Sequence, residues 1–316
     1  MQEVRVFAPA TVANVAVGFD ILGFAIQRPG DEIVARRSAA FAGVRITVIT
    51  GTGTKSLPTE VEHNTAGMAA LRLLEHLGLQ HQVGVELEIH KKMPFGSGLG
   101  SSAASAAGAA VAVNVLLGEP LTRESLLYFT VLGEEVADGS FHADNVAPCL
   151  VGGITLIRSN ESLDIHHLPV PPSLQVAVVH PEIEILTRDA RAVLSDSVSL
   201  KKATRQLGSL ASFITALYTN DLPLLSRSLK DHIIEPQRKT LITGFDAVQA
   251  AALERGALGC SISGAGPSMF ALCDSGYLAQ AVGHAMQAAF QQEGIDSQLY
   301  VSPINQRGVE VLSTTE

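Results

Sequence analysis

The sequence predicts a globular chain in two parts, each of which mixes β-strands with α-helices. The chain has 316 residues, of which 47% are hydrophobic and 17% charged. A chain of that size and composition can bury one large core or two ordinary ones. A proline-rich segment at 168–172 interrupts helix and strand patterns and marks a boundary. Beyond it, the predicted elements follow the split βαβ order of strand, helices, strand, strand, helix and strand.

In the first part, hydrophobic periodicity predicts the elements in order. Apolar residues recur at helical spacing through 65–77, and Gly78 ends that helix. Apolar and mostly polar residues alternate through 83–89, which predicts a strand with one face in the core. Further strands are predicted at 4–8 (ended by Pro9), 32–36, 44–49 and 154–158, and a further helix at 124–136.

In the second part, strands are predicted at 174–179, 259–263, 268–273 and 298–301. Several helices are expected across 188–253, and another at 278–291. The strands at 259–263 and 268–273 are joined by Gly264, Ala265, Gly266 and Pro267. We expect the first three of these residues to approach the functional site as a tight loop, with a simple hairpin turn as the alternative.

Charge and cysteine content exclude several classes of protein. The formal net charge of −9 disfavours a nucleic-acid partner, because nucleic-acid binders usually carry a basic field. Cys149, Cys260 and Cys273 form neither a CxxC pair nor an even disulfide set, so we expect reduced thiols in the cytoplasm. The first residues lack the basic and apolar regions of a signal peptide.

The most informative segment is PFGSGLGSS at 94–102, which lies between a predicted strand and an alanine-rich helix. The first N–H groups of a helix have no partner within the helix, and the helix dipole favours anions there. Glycines let the backbone approach an oxyanion, and serine hydroxyls can bind a phosphate oxygen or a metal ion. The segment therefore predicts a phosphate-binding loop, and the alanines predict close packing behind it.

Other interpretations of this segment fit less well. A membrane span is disfavoured because its first third is glycine and serine and polar residues interrupt the rest. The dinucleotide fingerprint fails because its third glycine falls on Ser101, and the P-loop fails because no lysine follows Gly100. The nucleophile elbow of α/β-hydrolases has no match. A plain tight turn into a buried helix remains an alternative.

Four segments resemble motifs of the GHMP kinase superfamily, in order and in spacing. The pattern P-x-G-x-G-L-G-S-S-A resembles the superfamily's phosphate loop, and SISGAGPSMFAL at 261–272 resembles its third motif. The segments APATVANVAVGFDILGFA at 8–25 and HADNVAP at 142–148 resemble the amino-terminal and central motifs of the homoserine kinase family. The resemblance extends from Val4 to about Val301.

The resemblance implies an α+β fold in two domains. An ATP-binding domain like ribosomal protein S5 domain 2 would span 1–168, and a ferredoxin-like domain would span 169–316. The implied reaction transfers the γ-phosphoryl group of ATP to the hydroxyl of L-homoserine, with Mg²⁺, in threonine biosynthesis. A cytoplasmic homodimer is expected, with neither nucleic acid nor membrane as a partner.

The resemblance also implies a nucleotide and metal site. Ser102 and Glu134 would hold the metal, since Mg²⁺ prefers oxygen ligands. Glu135 is the alternative to Glu134, and either could instead be an exposed helix charge. Asn64 would line the purine pocket, with a helix N-cap as the alternative. The implied ATP-binding residues are Asn64, Pro94, Gly96, Ser97, Gly98, Leu99, Gly100, Ser101 and Ser102.

The amino-acid substrate is a zwitterion, so its site needs groups of both charges. The resemblance makes Asp20 the ammonium partner and Arg191 with Arg238 the carboxylate partners. Thr187 could instead be an N-cap, Asp144 is taken as structural, and a metal pair of His142 and Asp144 is disfavoured. The implied substrate residues are Asn14, Asp20, His142, Asn145, Thr187, Arg191 and Arg238. The expected catalytic residues are Ser102, Glu134, Asn14 and Arg191.

No dedicated general base is expected, because a loose phosphoryl-transfer transition state needs little early deprotonation. Two other functions stay open at the level of sequence. One is another small-molecule kinase of the superfamily, such as a mevalonate-type enzyme. The other is a non-catalytic relative that acts as a binding module.

Overall fold

The structure, a computed structural model, describes residues 1–53, 56–139 and 141–316. Its strands form two sheets. The first contains β1 (Glu3–Ala13), β2 (Leu22–Ser38), β3 (Gly43–Thr50), β4 (Gly84–His90), β5 (Ile154–Ser159), β6 (Asp164–Leu168) and β11 (Glu310–Thr315). The second contains β7 (Gln175–Pro181), β8 (Gly259–Ile262), β9 (Met269–Cys273) and β10 (Ser297–Pro303).

The first sheet has the order β11-β1-β2-β4-β3, and β5 pairs with both β2 and β6. The pairs are antiparallel except β3 with β4, which is parallel. The strand predicted to end at Pro9 continues to Ala13. The register of β1 against β2 shifts between Pro9 and Thr11, and proline is tolerated at such an irregularity because it has no N–H to donate.

Four helices belong to the first part: α1 (Thr65–His76), α2 (Ser101–Leu116), α3 (Leu127–Asp138) and α4 (Val146–Val151). Every residue of α2 from Ala103 onward is buried. A Cβ built at Gly108 would lie 2.6 Å from Cγ1 of Ile33 on β2 and 3.3 Å from Cβ of Ala8 on β1. The predicted close packing of the alanine-rich helix on the sheet is confirmed, and it requires small residues at these positions.

The second sheet has the order β10-β7-β9-β8, with every pair antiparallel. The helices of this part are α5 (Thr187–Ala192), α6 (Leu200–Thr219), α7 (Leu222–Ser228), α8 (Glu235–Arg238), α9 (Phe245–Glu254) and α10 (Gly276–Gln292). A core built from residues such as Val248, Met269 and Phe290 lies between this sheet and its helices. The split βαβ order and the α+β class are confirmed.

The last strand was not predicted and does not belong to the second sheet. β11 pairs with β1, so that Glu3 lies opposite Thr315 and Val6 opposite Val311. A division of the chain at 168/169 therefore separates β11 from the sheet that it completes. Within the residues that the structure describes, no helix is both long and apolar enough to cross a membrane.

Candidate active site

The loop at 94–102 forms one wall of a cavity of about 460 Å³. Other walls come from the start of α1, from α3 and from the hairpin between β8 and β9. Of the residues singled out from the sequence, the cavity is lined by Asn64, Gly96, Ser97, Gly98, Leu99, Gly100, Ser101, Ser102, Glu134, Asn145 and Thr187. Pro94 lies outside it, in a neighbouring recess with Gly51 and Glu182.

Three glycines give this loop its shape. Gly96, Gly98 and Gly100 have φ values of 58°, 74° and 65°, a region that side chains disfavour. A Cβ at Gly98 would lie 2.3 Å from the carbonyl oxygen of Ser263, and one at Gly100 would lie 2.1 Å from Oγ1 of Thr11. Glycine is therefore required at 98 and 100 by close approach as well as by backbone conformation.

Three consecutive carbonyl groups of the loop accept hydrogen bonds from the rest of the protein. The oxygen of Ser97 accepts from the N–H of Ser268 at 3.2 Å, and that of Leu99 accepts from the N–H of Thr11 at 3.0 Å. The oxygen of Gly98 accepts from the hydroxyl of Ser263 at 2.6 Å. Because hydrogen-bond donors of the protein contact these carbonyl oxygens, their partial negative charge is partly neutralised. This favours anion binding at the start of α2.

The hydroxyl of Ser97 is the feature that best tests the fit of a phosphate. Ser97 is only 2% exposed and lines the cavity, and its Oγ has no hydrogen-bond partner among the residues that the structure describes. A buried hydroxyl without a partner is costly, and an oxyanion in the cavity would supply one. The loop therefore fits a phosphate group.

Ser102 and Glu134 meet at the cavity. Oγ of Ser102 donates to Oε1 of Glu134 at 2.7 Å. Glu134 is buried on α3, whereas its neighbour Glu135 is exposed. In the described part of the chain, no group of three histidine, cysteine, aspartate or glutamate side chains could enclose a metal ion. Two protein oxygens beside a phosphate loop are what Mg²⁺ needs when phosphate and water supply its other ligands.

The alternative role of a helix N-cap applies to Asn64 but not to Thr187. Asn64 is the N-cap of α1: its Oδ1 accepts from the N–H groups of Ala66 and Gly67, and its Nδ2 donates to the oxygen of Pro58 at 2.9 Å. The amide of Asn64 shapes the cavity wall through these bonds. Thr187 is exposed and is the first residue of α5 rather than its cap, so its hydroxyl is not used for capping.

A second group of polar residues forms around Asp20. Both terminal nitrogens of Arg191 donate to its carboxylate, at 3.0 and 3.1 Å. Nε2 of His142 lies 3.4 Å from Oδ2 of the same carboxylate. Two parallel bonds between a guanidinium and a carboxylate are the strongest form of this interaction. Asp20, predicted to bind the substrate ammonium, and Arg191, predicted to bind the substrate carboxylate, are thus bonded to each other.

Asn14 and Arg238 are held by one carbonyl group of the β8–β9 hairpin. The oxygen of Gly264 accepts from Nδ2 of Asn14 at 2.9 Å and from a terminal nitrogen of Arg238 at 3.1 Å. Nε of Arg238 donates to the oxygen of Ala190. Arg238 is 3% exposed, and burial, followed by the nearby Arg191, lowers the pKa of its guanidinium.

The loop between β1 and β2 presents Asn14 and Asp20 from a strained backbone. Asn14, Val15 and Ala16 have φ values of 69°, 43° and 59° in succession, and Asp20 has 61°. Oδ1 of Asn14 accepts from the N–H of Asp20 at 3.0 Å, which joins the two ends of the loop. Strain of this kind clusters at functional sites, where the surrounding structure holds it in place.

Asp144, for which the sequence predicts a structural role, lies close to the charged group around Asp20. It is 7% exposed. Burial raises the pKa of its carboxyl group from an ordinary 3.8 to about 7, and the nearby carboxylate of Asp20 adds to the shift. The central motif marks this residue, but only the fold shows that it is buried close to the half-buried pair of Asp20 and Arg191.

The two groups of residues are joined through Asn145 and Gly264, both of which line the cavity. Oδ1 of Asn145 accepts from Oγ1 of Thr11 at 2.8 Å. A Cβ built at Gly100 would lie 2.8 Å from this oxygen. The charged group around Asp20 therefore lies beside the cavity and is connected to it through these two residues. Besides Pro94, the predicted residues that do not line the cavity are Asn14, Asp20, His142, Arg191 and Arg238. Sequence reasoning missed Lys91, which lines the cavity, and Asp31, which pairs with it, because neither residue carried a motif signal.

Comparison with known proteins agrees with this architecture. Family models described as "GHMP kinases N terminal domain" and "GHMP kinases C terminal" match residues 64–153 and 200–292. The fold and the phosphate loop are thus those of a GHMP kinase. The homoserine kinase of Chlorobium phaeovibrioides is 47% identical over 99% of this chain and 100% of its own. That of Chlorobaculum tepidum is 45% identical over the whole of both chains.

A solved structure supports the same assignment. The crystal structure of homoserine kinase from Cytophaga hutchinsonii is 50% identical, with a TM-score of 0.95, and the match covers 99% of this chain and 98% of that chain. The chain belongs to the homoserine kinase family.

Proposed function

We propose that this chain transfers the γ-phosphoryl group of ATP to the side-chain hydroxyl of L-homoserine, producing O-phospho-L-homoserine and ADP. One observation carries the proposal: the loop at 94–102 lines a cavity, and the oppositely charged pair of Asp20 and Arg191 lies beside that cavity, connected to it through Asn145 and Gly264. The loop suits the nucleotide, and the charged pair suits a zwitterion with its hydroxyl turned toward the loop.

The nucleotide is held by the start of α2 and by the glycine loop. Backbone N–H groups there face a site for negative charge, and Ser97 offers its buried hydroxyl. Ser102 and Glu134 would hold Mg²⁺, which when bound neutralises charge on the phosphate oxygens. His63, Asn64 and Thr65 line the wall where we place the purine.

The amino acid is held by an exchange of partners. Asp20 and Arg191 neutralise each other while the site lacks substrate. The substrate ammonium binds Asp20, and the substrate carboxylate binds Arg191, so each buried charge keeps an opposite charge nearby. Arg238 uses two nitrogens on the oxygens of Ala190 and Gly264. The second terminal nitrogen of Arg238 takes no part in these two bonds, and we assign it to the substrate carboxylate.

Catalysis then rests on positioning and charge stabilisation rather than on a dedicated base. Asn14 and His142 orient the acceptor end through their contacts with Gly264 and Asp20. The hydroxyl attacks directly and loses its proton late. An Asp20→Asn enzyme with near-normal homoserine affinity and collapsed turnover would contradict this mechanism, because it would behave as an enzyme that has lost its base.

A coupled ADP-release assay tests the reaction with homoserine, mevalonate and sugars as acceptors. We expect turnover with homoserine only, since mevalonate has a carboxylate but no ammonium group for Asp20. Turnover with mevalonate alone would favour the mevalonate-type alternative. Failure to bind ATP with Mg²⁺ in calorimetry would favour a non-catalytic binding module. The intact loop at 96–102 and the Ser102–Glu134 bond weigh against that last outcome.

We further infer a cytoplasmic homodimer that acts in threonine biosynthesis, as the family resemblance implies. The cytoplasmic location is supported by Cys149, Cys260 and Cys273, which are buried. Burial raises the pKa of each thiol, as expected for inert reduced cysteines. Light scattering of the full chain tests the oligomeric state.

A further inference from the structure

We propose that Asp31 is a positioning residue that holds the two ends of the phosphate loop in the spacing that ATP requires. The proposal rests on the proposed function, because it assigns Asp31 to the nucleotide half of that site. Asp31 lies on β2, more than sixty residues before the loop in sequence, and is fully buried.

The carboxylate of Asp31 contacts both ends of the loop. At the entrance, its Oδ1 accepts from the N–H of Lys92 at 2.7 Å and from that of Met93 at 3.2 Å. At the exit, its Oδ2 accepts from the hydroxyl of Ser101 at 3.1 Å. One side chain therefore fixes where the loop begins, at Pro94, and where α2 begins, at Ser101.

These contacts also change the role of Ser101. Its hydroxyl donates to Asp31, which does not line the cavity. The sequence resemblance made Ser101 a nucleotide ligand, and the geometry points to an indirect role for its side chain: it acts through Asp31.

Lys91 completes the arrangement. Its ammonium pairs with Oδ2 of Asp31 and donates to the carbonyl oxygen of Ser101 at 2.6 Å and to Oγ of Ser105 at 2.8 Å. The side chains of Lys91 and Asp31 are 2% and 0% exposed. A buried ion pair is favourable only when its geometry is good and its other bonds are made. This pair therefore tolerates little change in the loop that surrounds it.

Lys91 also neutralises the charge of Asp31, which would otherwise repel the nucleotide phosphates. An uncompensated carboxylate beneath the start of α2 would repel phosphate and cancel part of the helix dipole. The pair is neutral overall, so the field at the helix start stays favourable for an anion.

The next residues along the same two segments provide a matched control. Glu32 pairs with Lys92, one residue beyond Asp31 and Lys91. Successive residues of a strand point to opposite faces, and the Lys92 side chain is 53% exposed. The two ion pairs are thus neighbours in sequence, but one is fully buried, whereas the other joins the half-buried Glu32 to an exposed lysine. Glu32 also pairs with Arg5, which lies away from the loop.

The test compares Asp31→Asn with Glu32→Gln in the full chain. Calorimetry measures the Kd of ATP with Mg²⁺ and the Kd of homoserine, and thermal unfolding reports whether each variant is folded. We expect Asp31→Asn to weaken ATP binding about tenfold or more, the effect of losing bonds to a charged group. Homoserine affinity should change little, and Glu32→Gln should match the wild type in both.

A double variant separates an indirect role of Ser101 from a direct one. If Ser101 acts through Asp31, Ser101→Ala weakens ATP binding, and adding it to Asp31→Asn causes little further loss. If Ser101 contacts ATP itself, the two losses add. If Asp31→Asn does not fold, Asp31→Glu takes its place in both comparisons, because the longer side chain keeps the charge but displaces the bonds to Lys92, Met93 and Ser101. An unchanged ATP affinity of that variant overturns the proposal, and a loss that Ser101→Ala does not increase supports it.

Two results of the comparison between Asp31→Asn and Glu32→Gln would also overturn the proposed role of Asp31. One is a folded Asp31→Asn variant with wild-type ATP affinity, and the other is an equal loss of affinity for ATP and homoserine. Failure of the proposed function has a different signature, since the wild-type chain itself would then release no ADP with homoserine.

Discussion

At the scale of single residues, most polar groups of the site act in pairs. Ser102 is bonded to Glu134, and Asp20 to Arg191. Each pair gives a buried or half-buried charged side chain a partner within the protein, which limits the free-energy cost of removing that charge from water. On the proposed assignment, substitution of one member removes a ligand for substrate or metal and also removes the bond that its partner makes to it.

The metal assignment predicts the behaviour of Glu134→Gln. The variant should need more Mg²⁺ for half-maximal activity, and kcat should fall by roughly a hundredfold or more, as when one preorganised electrostatic group is removed. Titration of activity with Mg²⁺ measures both. Glu135→Gln is the control, because Glu135 is the exposed neighbour on the same helix. Equal effects of the two substitutions would contradict the assignment.

The raised pKa of Asp144 predicts a pH dependence of stability with a definite sign. The pKa of Asp144 is about 7 in the folded protein and an ordinary 3.8 in the unfolded chain. Between about pH 4 and 7, the folded protein therefore keeps a proton that the unfolded chain has lost. The contribution to the free energy of unfolding is therefore full at low pH and falls as pH rises through this window.

Asp144→Asn removes this contribution. We expect the difference in unfolding free energy between wild type and variant to change across pH 4 to 7, in denaturant titrations at several pH values. A constant difference for Asp144→Asn would show that the carboxyl group is ionised in the folded state.

At the scale of elements, the helix α2 joins packing to binding. Its alanines let it lie close to β1 and β2, and its first turn closes the phosphate loop. Ala103 and Ala104 are both fully buried in that turn. Extra methylene groups there must displace neighbours, which costs about 1–3 kcal/mol.

We expect Ala104→Leu to weaken ATP binding more than homoserine binding, because a shift of the first turn moves the loop directly. Paired calorimetric Kd measurements check this. Ala211→Leu on the exposed side of α6 is the control for a leucine in a helix. An equal loss for both ligands would mean that the substitution disturbs the whole domain instead.

The elements and the phosphate loop could be predicted from the sequence, whereas several contacts could not. Local periodicity and glycine spacing predict β4, α2 and the loop between them, because those signals depend on adjacent residues. Asp31 and Lys91 meet through pairing of β2 with β4, and no local pattern encodes such a meeting. β11 was missed because its residues are mostly exposed and lack the alternation of a half-buried strand.

Single side chains were harder still to predict. Asp144 and Asn145 are neighbours in one motif, yet only the fold shows that one is buried near Asp20 and the other lines the cavity. Burial and mutual distance decide the roles of such residues, and both are properties of the folded chain.

At the scale of the whole molecule, the second part of the chain holds the loop of the first part in place. The hydroxyl of Ser263 donates to the oxygen of Gly98, and the N–H of Gly264 donates to the oxygen of Ala13 at 3.2 Å. Those bonds connect the β8–β9 hairpin with the phosphate loop and with the end of β1, after which the loop that contains Asn14 and Asp20 begins. The nucleotide site is therefore complete only when the two parts are docked.

This docking predicts the effect of Ser263→Ala. The variant leaves the oxygen of Gly98 without its donor and should lose about 1–3 kcal/mol of stability, together with several-fold of ATP affinity. Ser228→Ala is the matched control, because Ser228 is also buried in the second part and donates its hydroxyl to a carbonyl, that of Leu224. The control should lose similar stability but keep wild-type ATP affinity. Denaturant titration and calorimetry separate the two losses: if both variants are destabilised alike and neither weakens ATP binding, the hairpin stabilises the fold without positioning the loop.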